Sequence, residues 1–102
     1  MKKAIQIDIK DNVATVTSEV AEGETVEVLS PEGELVGSPK VLSEIIFGHK
    51  IALKSFDEGD EIIKYGEVMG GASMPIKLGE WIHTHNVESV RVPTSKWGEY
   101  GP

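Results

Sequence analysis

Apolar and polar residues alternate in several short runs along the chain, and this period of two predicts β-strands. The runs are residues 4–9, 13–17, 25–28 and 61–65, together with the segment around residues 50–53. Glycine, proline and acidic residues separate them, as expected for tight turns between strands. Residues 39–47 are ambiguous, because Pro39 is compatible with a helix start but the apolar spacing allows at most a turn or two. The pattern predicts a small all-β domain.

One short pattern occurs three times: an apolar residue, any two residues, glycine, an acidic residue, any residue and a second apolar residue. The copies are Val20–Val26, Phe56–Ile62 and Ile76–Ile82. In each copy glycine would supply the positive φ angle of a tight turn, and a strand would follow. The unequal spacing of the glycines indicates a reused hairpin rather than a solenoid. Alternatively, glycine followed by an acidic residue simply marks turns in any β protein.

Residues 79–91 contain two of the three histidines and one of the two tryptophans. As a continuous strand, this segment would place Trp81, His83, His85 and Val87 on one face, because successive strand side chains point to opposite faces. The two imidazoles would then stand roughly 6–7 Å apart, given a rise of about 3.3 Å per residue. That spacing would let both converge on one metal ion or one anionic substrate. The alternative is an ordinary edge strand with solvated histidines.

Composition limits the classes of protein that fit. The 102 residues suit one domain, and we expect residues 1–92 to form it. The formal net charge of −7 disfavours nucleic acid and anionic membranes, because both are bound chiefly through lysine and arginine. Because cysteine is absent, a metal site would have to use histidine, aspartate or glutamate. No apolar run reaches the length of a signal peptide or a membrane span, and we expect a cytoplasmic protein.

The last residues, 93–102, follow no strand period. They contain Trp97 and Tyr100, whose large aromatic rings are costly to expose to water. We therefore expect this tail to dock on its own domain or on a partner. Exposed strand edges would also allow the isolated chain to self-associate as a homodimer.

Several ordered motifs resemble one enzyme family. They are Gly48-His-Lys-Ile-Ala-Leu53, Lys64-Tyr-Gly-Glu67 and His83-Thr-His-Asn86, with Gly59, Gly70 and Gly79 between them. In this order, and over about residues 12–91, they resemble the amino-terminal domain of altronate and galactarate dehydratases. The small subunit of sulfolactate sulfo-lyase is built on the same domain. The resemblance implies a SAF-type β-clip, a compact set of short strands folded back on themselves.

The resemblance also implies a reaction and a partner. Sugar-acid dehydratases of this family remove the proton α to a carboxylate and expel the β-hydroxyl, which gives a 2-keto-3-deoxy acid. They are associated with a divalent metal, Fe²⁺ or Mn²⁺. Because the chain lacks the large domain of those dehydratases, the resemblance implies a separately encoded small subunit that works with a large subunit. That partner would supply most of the metal ligands.

Three histidines are the predicted catalytic residues: His83, His85 and His49. His83 and His85 are also candidate metal ligands, although two imidazoles alone leave too few protein ligands for a metal site. His49 follows a glycine at the start of a strand, and its alternative role is a structural imidazole that bonds backbone across a turn.

Lys50, Asn86 and Arg91 are the predicted substrate-binding residues. A lysine ammonium or an arginine guanidinium suits a carboxylate, and arginine binds it with two parallel hydrogen bonds. Lys50 could instead be an ordinary solvent-exposed residue on the other face of its strand. Arg91 could form a surface salt bridge that contributes little to stability. Asn86 would hydrogen-bond a substrate hydroxyl, orient a histidine or end the strand in a turn.

Two other functions fit the same sequence. With sulfolactate as the substrate, bisulfite rather than water would leave, and the two-subunit architecture would be unchanged. A non-catalytic module that binds carbohydrates or sugar acids would keep the fold without the chemistry, because fold alone does not determine function.

Overall fold

The computed structural model describes residues 1–89, so Arg91 and the predicted tail lie outside the described part of the chain. Residues 1–89 form nine short strands and no helix, which confirms the all-β prediction and leaves no helix there that could cross a membrane. The strands are β1 (Lys3–Ile5), β2 (Val13–Val16), β3 (Glu27–Leu29), β4 (Leu35–Gly37), β5 (Lys50–Ala52), β6 (Glu61–Lys64), β7 (Glu67–Ala72), β8 (Trp81–Ile82) and β9 (Val87–Glu88).

The strands form two sheets. Six of them make the larger sheet in the order β4-β3-β1-β2-β5-β8, and three make the smaller sheet in the order β6-β7-β9. Neighbouring strands are antiparallel except β1 and β3, which run parallel. β8 and β9 are therefore edge strands of different sheets. Residues 83–86 join these two edges, so the histidine motif lies where the chain crosses between the sheets.

Two clusters of buried apolar side chains stabilise the sheets, and β2 and β5 contribute to both. Successive residues of a strand point to opposite faces, so Ala14 and Ile51 enter the first cluster while Val13 and Ala52 enter the second. The first cluster also contains Ala4, Val16, Val20, Val26, Val28, Val41 and Ile45. The second also contains Phe56, Ile62, Ala72, Ile76 and Ile82.

The repeated turn predicted from the sequence is present at all three positions. Gly23, Gly59 and Gly79 have φ angles of 90°, 92° and 89°, which confirms that glycine supplies a positive φ in each copy. Gly79 has a second reason to be glycine, because a Cβ built there would overlap the backbone carbonyl of Lys40. At Gly23 a Cβ would meet nothing within 4 Å.

The structure contains a fourth copy of this turn that the sequence pattern did not identify. It runs from Ile45 to Ile51, and its glycine, Gly48, has a φ angle of 86°. The first residues of the four copies pair through isolated antiparallel bridges, Val20 with Ile45 and Phe56 with Ile76. The fourth copy differs from the others because a histidine, His49, occupies the position of the acidic residue.

The structure corrects the prediction for residues 4–9 and decides the ambiguous one for residues 39–47. The strand predicted over residues 4–9 ends at Ile5, because the chain turns where the Asp11 N–H donates to the Asp8 carbonyl at 2.9 Å. The buried carboxylate of Asp11 also accepts the N–H groups of Tyr65 and Gly66 at 3.1 and 2.8 Å, which ties this turn to the β6–β7 hairpin. Residues 39–47 contain no helix.

Candidate functional site

The prediction of one continuous strand through the histidine motif is wrong. β8 ends at Ile82, residues 83–86 form a turn, and β9 begins at Val87. The side chain of Asn86 causes this break: its Oδ1 accepts the His83 N–H at 3.0 Å, and its Nδ2 donates to the Trp81 carbonyl at 2.9 Å. The Asn86 N–H also donates to the His83 carbonyl at 3.1 Å. Asparagine favours such turns because its short amide competes with the strand for backbone partners.

Asn86 is fully buried, with a relative exposure of 0%. Both the oxygen and the nitrogen of its side-chain amide form hydrogen bonds with backbone groups of the turn. The backbone carbonyl of Asn86 accepts the Ser73 N–H at 3.0 Å. These contacts are those of a residue that ends a strand and positions the adjacent histidine. Direct binding of Asn86 to a substrate stays a prediction.

The turn and the pairing of β5 with β8 together bring all three histidines to one tryptophan. The ring of Trp81 stacks on His83 at 5.1 Å between centroids and 11° between planes, and it contacts His85 at 4.9 Å. The His49 ring lies 5.8 Å from Trp81 and 4.8 Å from His83. His83 and His85 are exposed and His49 is half-buried. We call this group the histidine cluster: Trp81, His49, His83 and His85.

Trp81 was not predicted as a site residue, although its spacing from the histidines had placed it beside them. Its indole is partly buried against the first apolar cluster, so it links the exposed imidazoles to the core. The indole Nε1–H donates to Nδ1 of His49 at 3.1 Å. The tryptophan therefore both supports the cluster by stacking and orients one imidazole by a hydrogen bond.

The position of His49 in its turn is occupied by carboxylates in the other three copies. Glu24, Asp60 and Glu80 each accept the N–H three residues earlier, at 2.7, 2.8 and 2.9 Å. This N–H also lowers the pKa of the Glu24 carboxyl, to which Lys2 contributes in addition. His49 bonds Trp81 instead of closing its own turn. The sequence signal for this fourth copy is the spacing from Ile45 to Gly48, without the acidic residue.

Lys50 lies beside the cluster but on the other face of its strand. It pairs with Ile82 across β5 and β8, and it lines an open groove of about 310 Å³. His83, Thr84 and Glu88 line the same groove, so one imidazole of the cluster and the Lys50 amine face a common space. Burial, and then the nearby ammonium of Lys64, hold the pKa of the Lys50 amine below its ordinary value. An anion in the groove would oppose both effects.

The described residues do not form a complete metal site. No group of three His, Asp or Glu side chains among residues 1–89 is placed so that it could hold a metal ion. The predicted metal roles of His83 and His85 would therefore require further ligands from elsewhere. Arg91, the remaining predicted binding residue, lies outside the described residues.

Residues 2–90 match the family described as the altronate/galactarate dehydratase SAF domain. The chain belongs to this family. The match includes the whole histidine cluster, so the cluster lies within the SAF domain itself. The resemblance noted from the motifs is confirmed, and with it the all-β SAF domain.

Three relatives show how this domain is used in different proteins. An altronate dehydratase of Bacillus subtilis is 39% identical over 89 residues, which are 87% of this chain and 17% of the relative. A galactarate dehydratase (L-threo-forming) of Escherichia coli is 35% identical over 76% of this chain and 14% of its own length. A (2R)-sulfolactate sulfo-lyase subunit alpha of Paracoccus pantotrophus is 41% identical over 48% of this chain and 73% of the subunit.

This chain therefore spans less than a fifth of the altronate dehydratases that it matches, which are covered to 17% and 16%. The matched part makes up most of the sulfo-lyase subunit from Paracoccus, by contrast. The same kind of domain thus occurs as a small part of much longer dehydratases and as most of a sulfo-lyase subunit.

Proposed function

We propose that the chain acts in the cytoplasm as the small subunit of a lyase that works on a hydroxy acid, together with a separate large subunit. The preferred reaction is that of altronate dehydratase, the loss of water to give a 2-keto-3-deoxy acid. The observation that carries this proposal is the exposed histidine cluster in a chain of the dehydratase SAF-domain family. The exposed imidazoles of His83 and His85, which pack against the Trp81 indole, contribute little to a core but can accept and donate protons near neutral pH.

The chemistry of dehydration suits these side chains. The α-proton needs a base, the leaving hydroxyl needs an acid, and the negative oxygens that develop on the carboxylate need hydrogen-bond donors. His83 and His85 are exposed and free to approach a substrate. Lys50 lines the groove beside His83 and would bind the substrate carboxylate, aided by Arg91. Asn86 would act by fixing the turn that carries both histidines.

Two features of the chain support a partner that completes the site. The groove beside the cluster is open, whereas catalysis gains from a site closed to water. Residues 1–89 also hold no group of three metal ligands, so Fe²⁺ or Mn²⁺ would be held mainly by the large subunit. When bound there, the metal would supply Lewis-acid stabilisation of substrate oxygens.

Sulfolactate is the second candidate substrate. In a (2R)-sulfolactate sulfo-lyase subunit alpha from Paracoccus pantotrophus, the matched part makes up 73% of the subunit. The same small subunit would then assist expulsion of bisulfite instead of water. The groups that contact the leaving group would lie on the large subunit, which would decide between the two reactions.

The test is co-expression of this chain with a protein that resembles the remaining part of altronate dehydratase. The complex would be purified through a tag on this chain and assayed with altronate and added Fe²⁺ or Mn²⁺. We expect the two chains to co-elute and to form the keto acid only together. His83→Ala and His85→Ala should each reduce the rate. Glu58→Ala, at an exposed position of another copy of the turn, is the matched control and should not.

Other results would revise the proposal in defined ways. Co-elution with sulfite released from sulfolactate, but no keto acid from altronate, would change the substrate and keep the two-subunit architecture. Co-elution with full activity in both histidine variants would remove the catalytic role of those residues. Chains that neither associate nor form either product would favour a non-catalytic binding module.

A further inference from the structure

The hydrogen bond between Trp81 and His49 determines where the His49 proton lies. An indole nitrogen can only donate, so Nδ1 of His49 must accept with its lone pair at the observed 3.1 Å. A neutral imidazole carries one proton on one of its two nitrogens. With Nδ1 as the acceptor, that proton is on Nε2.

The surroundings of His49 hold this arrangement in place. Its N–H donates to the Ile46 carbonyl at 3.1 Å, and its own carbonyl accepts the Val16 N–H at 2.9 Å, so its backbone is fixed on both sides. Trp81 is fixed in turn by pairing with Ile51 and by packing against the first apolar cluster. Neither ring can turn without breaking these contacts or the bond between them.

We propose that Trp81 is a positioning residue that presents His49 as a neutral Nε2–H hydrogen-bond donor to a negatively charged oxygen of the ligand. The identity of that ligand as a hydroxy acid rests on the proposed function. The tautomer and its dependence on Trp81 do not, because they follow from contacts within this chain.

The role assigned to His49 is stabilisation of charge rather than transfer of a proton. A neutral imidazole that lost its Nε2 proton would become an imidazolate, which is strongly unfavourable in water. The same proton can instead be shared with an oxygen on which negative charge develops, as in an oxyanion hole. His83 and His85 contact the face of the indole, at 5.1 and 4.9 Å, and are left for proton transfer.

The decisive experiment is nitrogen NMR of the full chain labelled with ¹⁵N, at about pH 8, where an ordinary histidine is neutral. We expect an unprotonated Nδ1 and a protonated Nε2 for His49, and a coupling across the hydrogen bond between Trp81 Nε1 and His49 Nδ1. Trp81→Phe should abolish the coupling and shift the His49 nitrogens. His85→Ala is the control, since it removes an imidazole from the same indole but leaves the bond to His49.

A proton on Nδ1 of His49, or His49 nitrogen signals that are the same in Trp81→Phe and the wild type, would overturn the proposal. The coupling in the wild-type chain is measured without any variant, so misfolding of Trp81→Phe would not remove the test. These measurements need no partner and no substrate. They therefore stand even if the two-subunit proposal fails.

The role of the donor is tested in the assembled enzyme. Glutamine can donate through its amide but cannot act as an acid or base at neutral pH, so His49→Gln should retain roughly tenfold more activity than His49→Ala. Equal loss in the two variants would overturn the donor role. A rate unaffected by either variant would remove His49 from the site.

Discussion

The turns at Gly48 and Gly59 share one backbone form and differ in the side chain that follows the glycine. Their φ angles are 86° and 92°, and each begins with a buried residue, Ile45 or Phe56, that bridges to another copy of the turn. Asp60 closes its own turn by accepting the Asp57 N–H at 2.8 Å. His49 reaches out of its turn to Trp81 at 3.1 Å.

The difference shows how a structural position becomes available for chemistry. The backbone of the turn is held by glycine and by bridges to a second turn, so the carboxylate is not needed to form it. Loss of one capping contact costs about 1 kcal/mol by analogy with helix caps. Local rules of this kind are broken most often at functional sites. The one copy that breaks the rule is the one in which the residue after the glycine belongs to the histidine cluster.

The largest effect should come from removing the feature that the turns share. Gly79→Ala would force alanine into a positive φ and push its Cβ into the Lys40 carbonyl. We expect a loss of about 2–5 kcal/mol of unfolding free energy, from the left-handed conformation and the overlap together. Urea denaturation would measure it.

Gly23→Ala is the matched control for that variant, because a Cβ at Gly23 meets nothing within 4 Å. It should lose only the conformational part, about 1–2 kcal/mol. If the two variants lose the same amount of stability, the close approach at Gly79 is not an important constraint.

The second prediction exchanges the residue that distinguishes the two turns. His49→Asp would give the fourth turn the carboxylate of the other copies and remove the imidazole. We expect a chain that is as stable as the wild type and an assembled enzyme slowed by roughly 100-fold, the low end for loss of one hydrogen-bond donor that stabilises developing charge. Thermal denaturation and the keto-acid assay would separate these effects.

The reverse exchange, Asp60→His, is the control for that prediction. It places an imidazole in a turn outside the cluster and removes a cap, so stability should fall while activity remains. Loss of activity in both variants to the same extent would mean that the exchange acts through the fold.

The third prediction concerns stability alone. Asp60→Ala removes the acceptor for the Asp57 N–H and should cost about 1 kcal/mol, by analogy with helix caps. His49→Ala removes no such cap. It removes the acceptor of the Trp81 indole N–H, but Trp81 is partly exposed and water can replace that acceptor. The loss of stability of His49→Ala in urea denaturation should therefore be smaller than that of Asp60→Ala. A larger loss for His49→Ala would show that the histidine cluster is mainly a stabilising feature.

The smallest effect concerns Lys50, the residue that follows His49. Burial and Lys64 lower the pKa of Lys50, so the folded state binds its proton less well than the unfolded state. The stability of the wild type relative to Lys50→Met should rise with pH, from the lowered pKa up to the ordinary value near 10.4. The amine is partly solvated, so the change should be only a few tenths of a kcal/mol.

The measurement is the difference in melting temperature between the wild type and Lys50→Met, from pH 7 to pH 10 or so. Lys77→Met is the control, because it removes the same charge at an exposed position. A wild type that loses stability relative to Lys50→Met over this range would contradict the lowered pKa.

Much of the fold could be predicted from the sequence because its signals are local. Alternation of apolar and polar residues predicted the strands. Glycine at the same position within each copy of a short repeated pattern predicted three turns with positive φ, as observed. The motifs predicted the family, which the match over residues 2–90 confirms. Alternation failed to predict where a strand ends when a side chain forms hydrogen bonds with the backbone close to it. Asn86 breaks the predicted strand in this way, and alternation alone does not reveal it.

The sequence by itself determined the all-β class, the family and the three histidines as candidates, because each follows from residue types and short spacings. The tertiary structure alone decided that His49 belongs to the cluster and which of its nitrogens carries the proton. Trp81 and His49 are 32 residues apart in sequence, and they meet because β5 and β8 pair at the edge of the larger sheet. Strand pairing of this kind depends on the whole set of packed residues, so no local pattern could have placed the indole N–H at the imidazole.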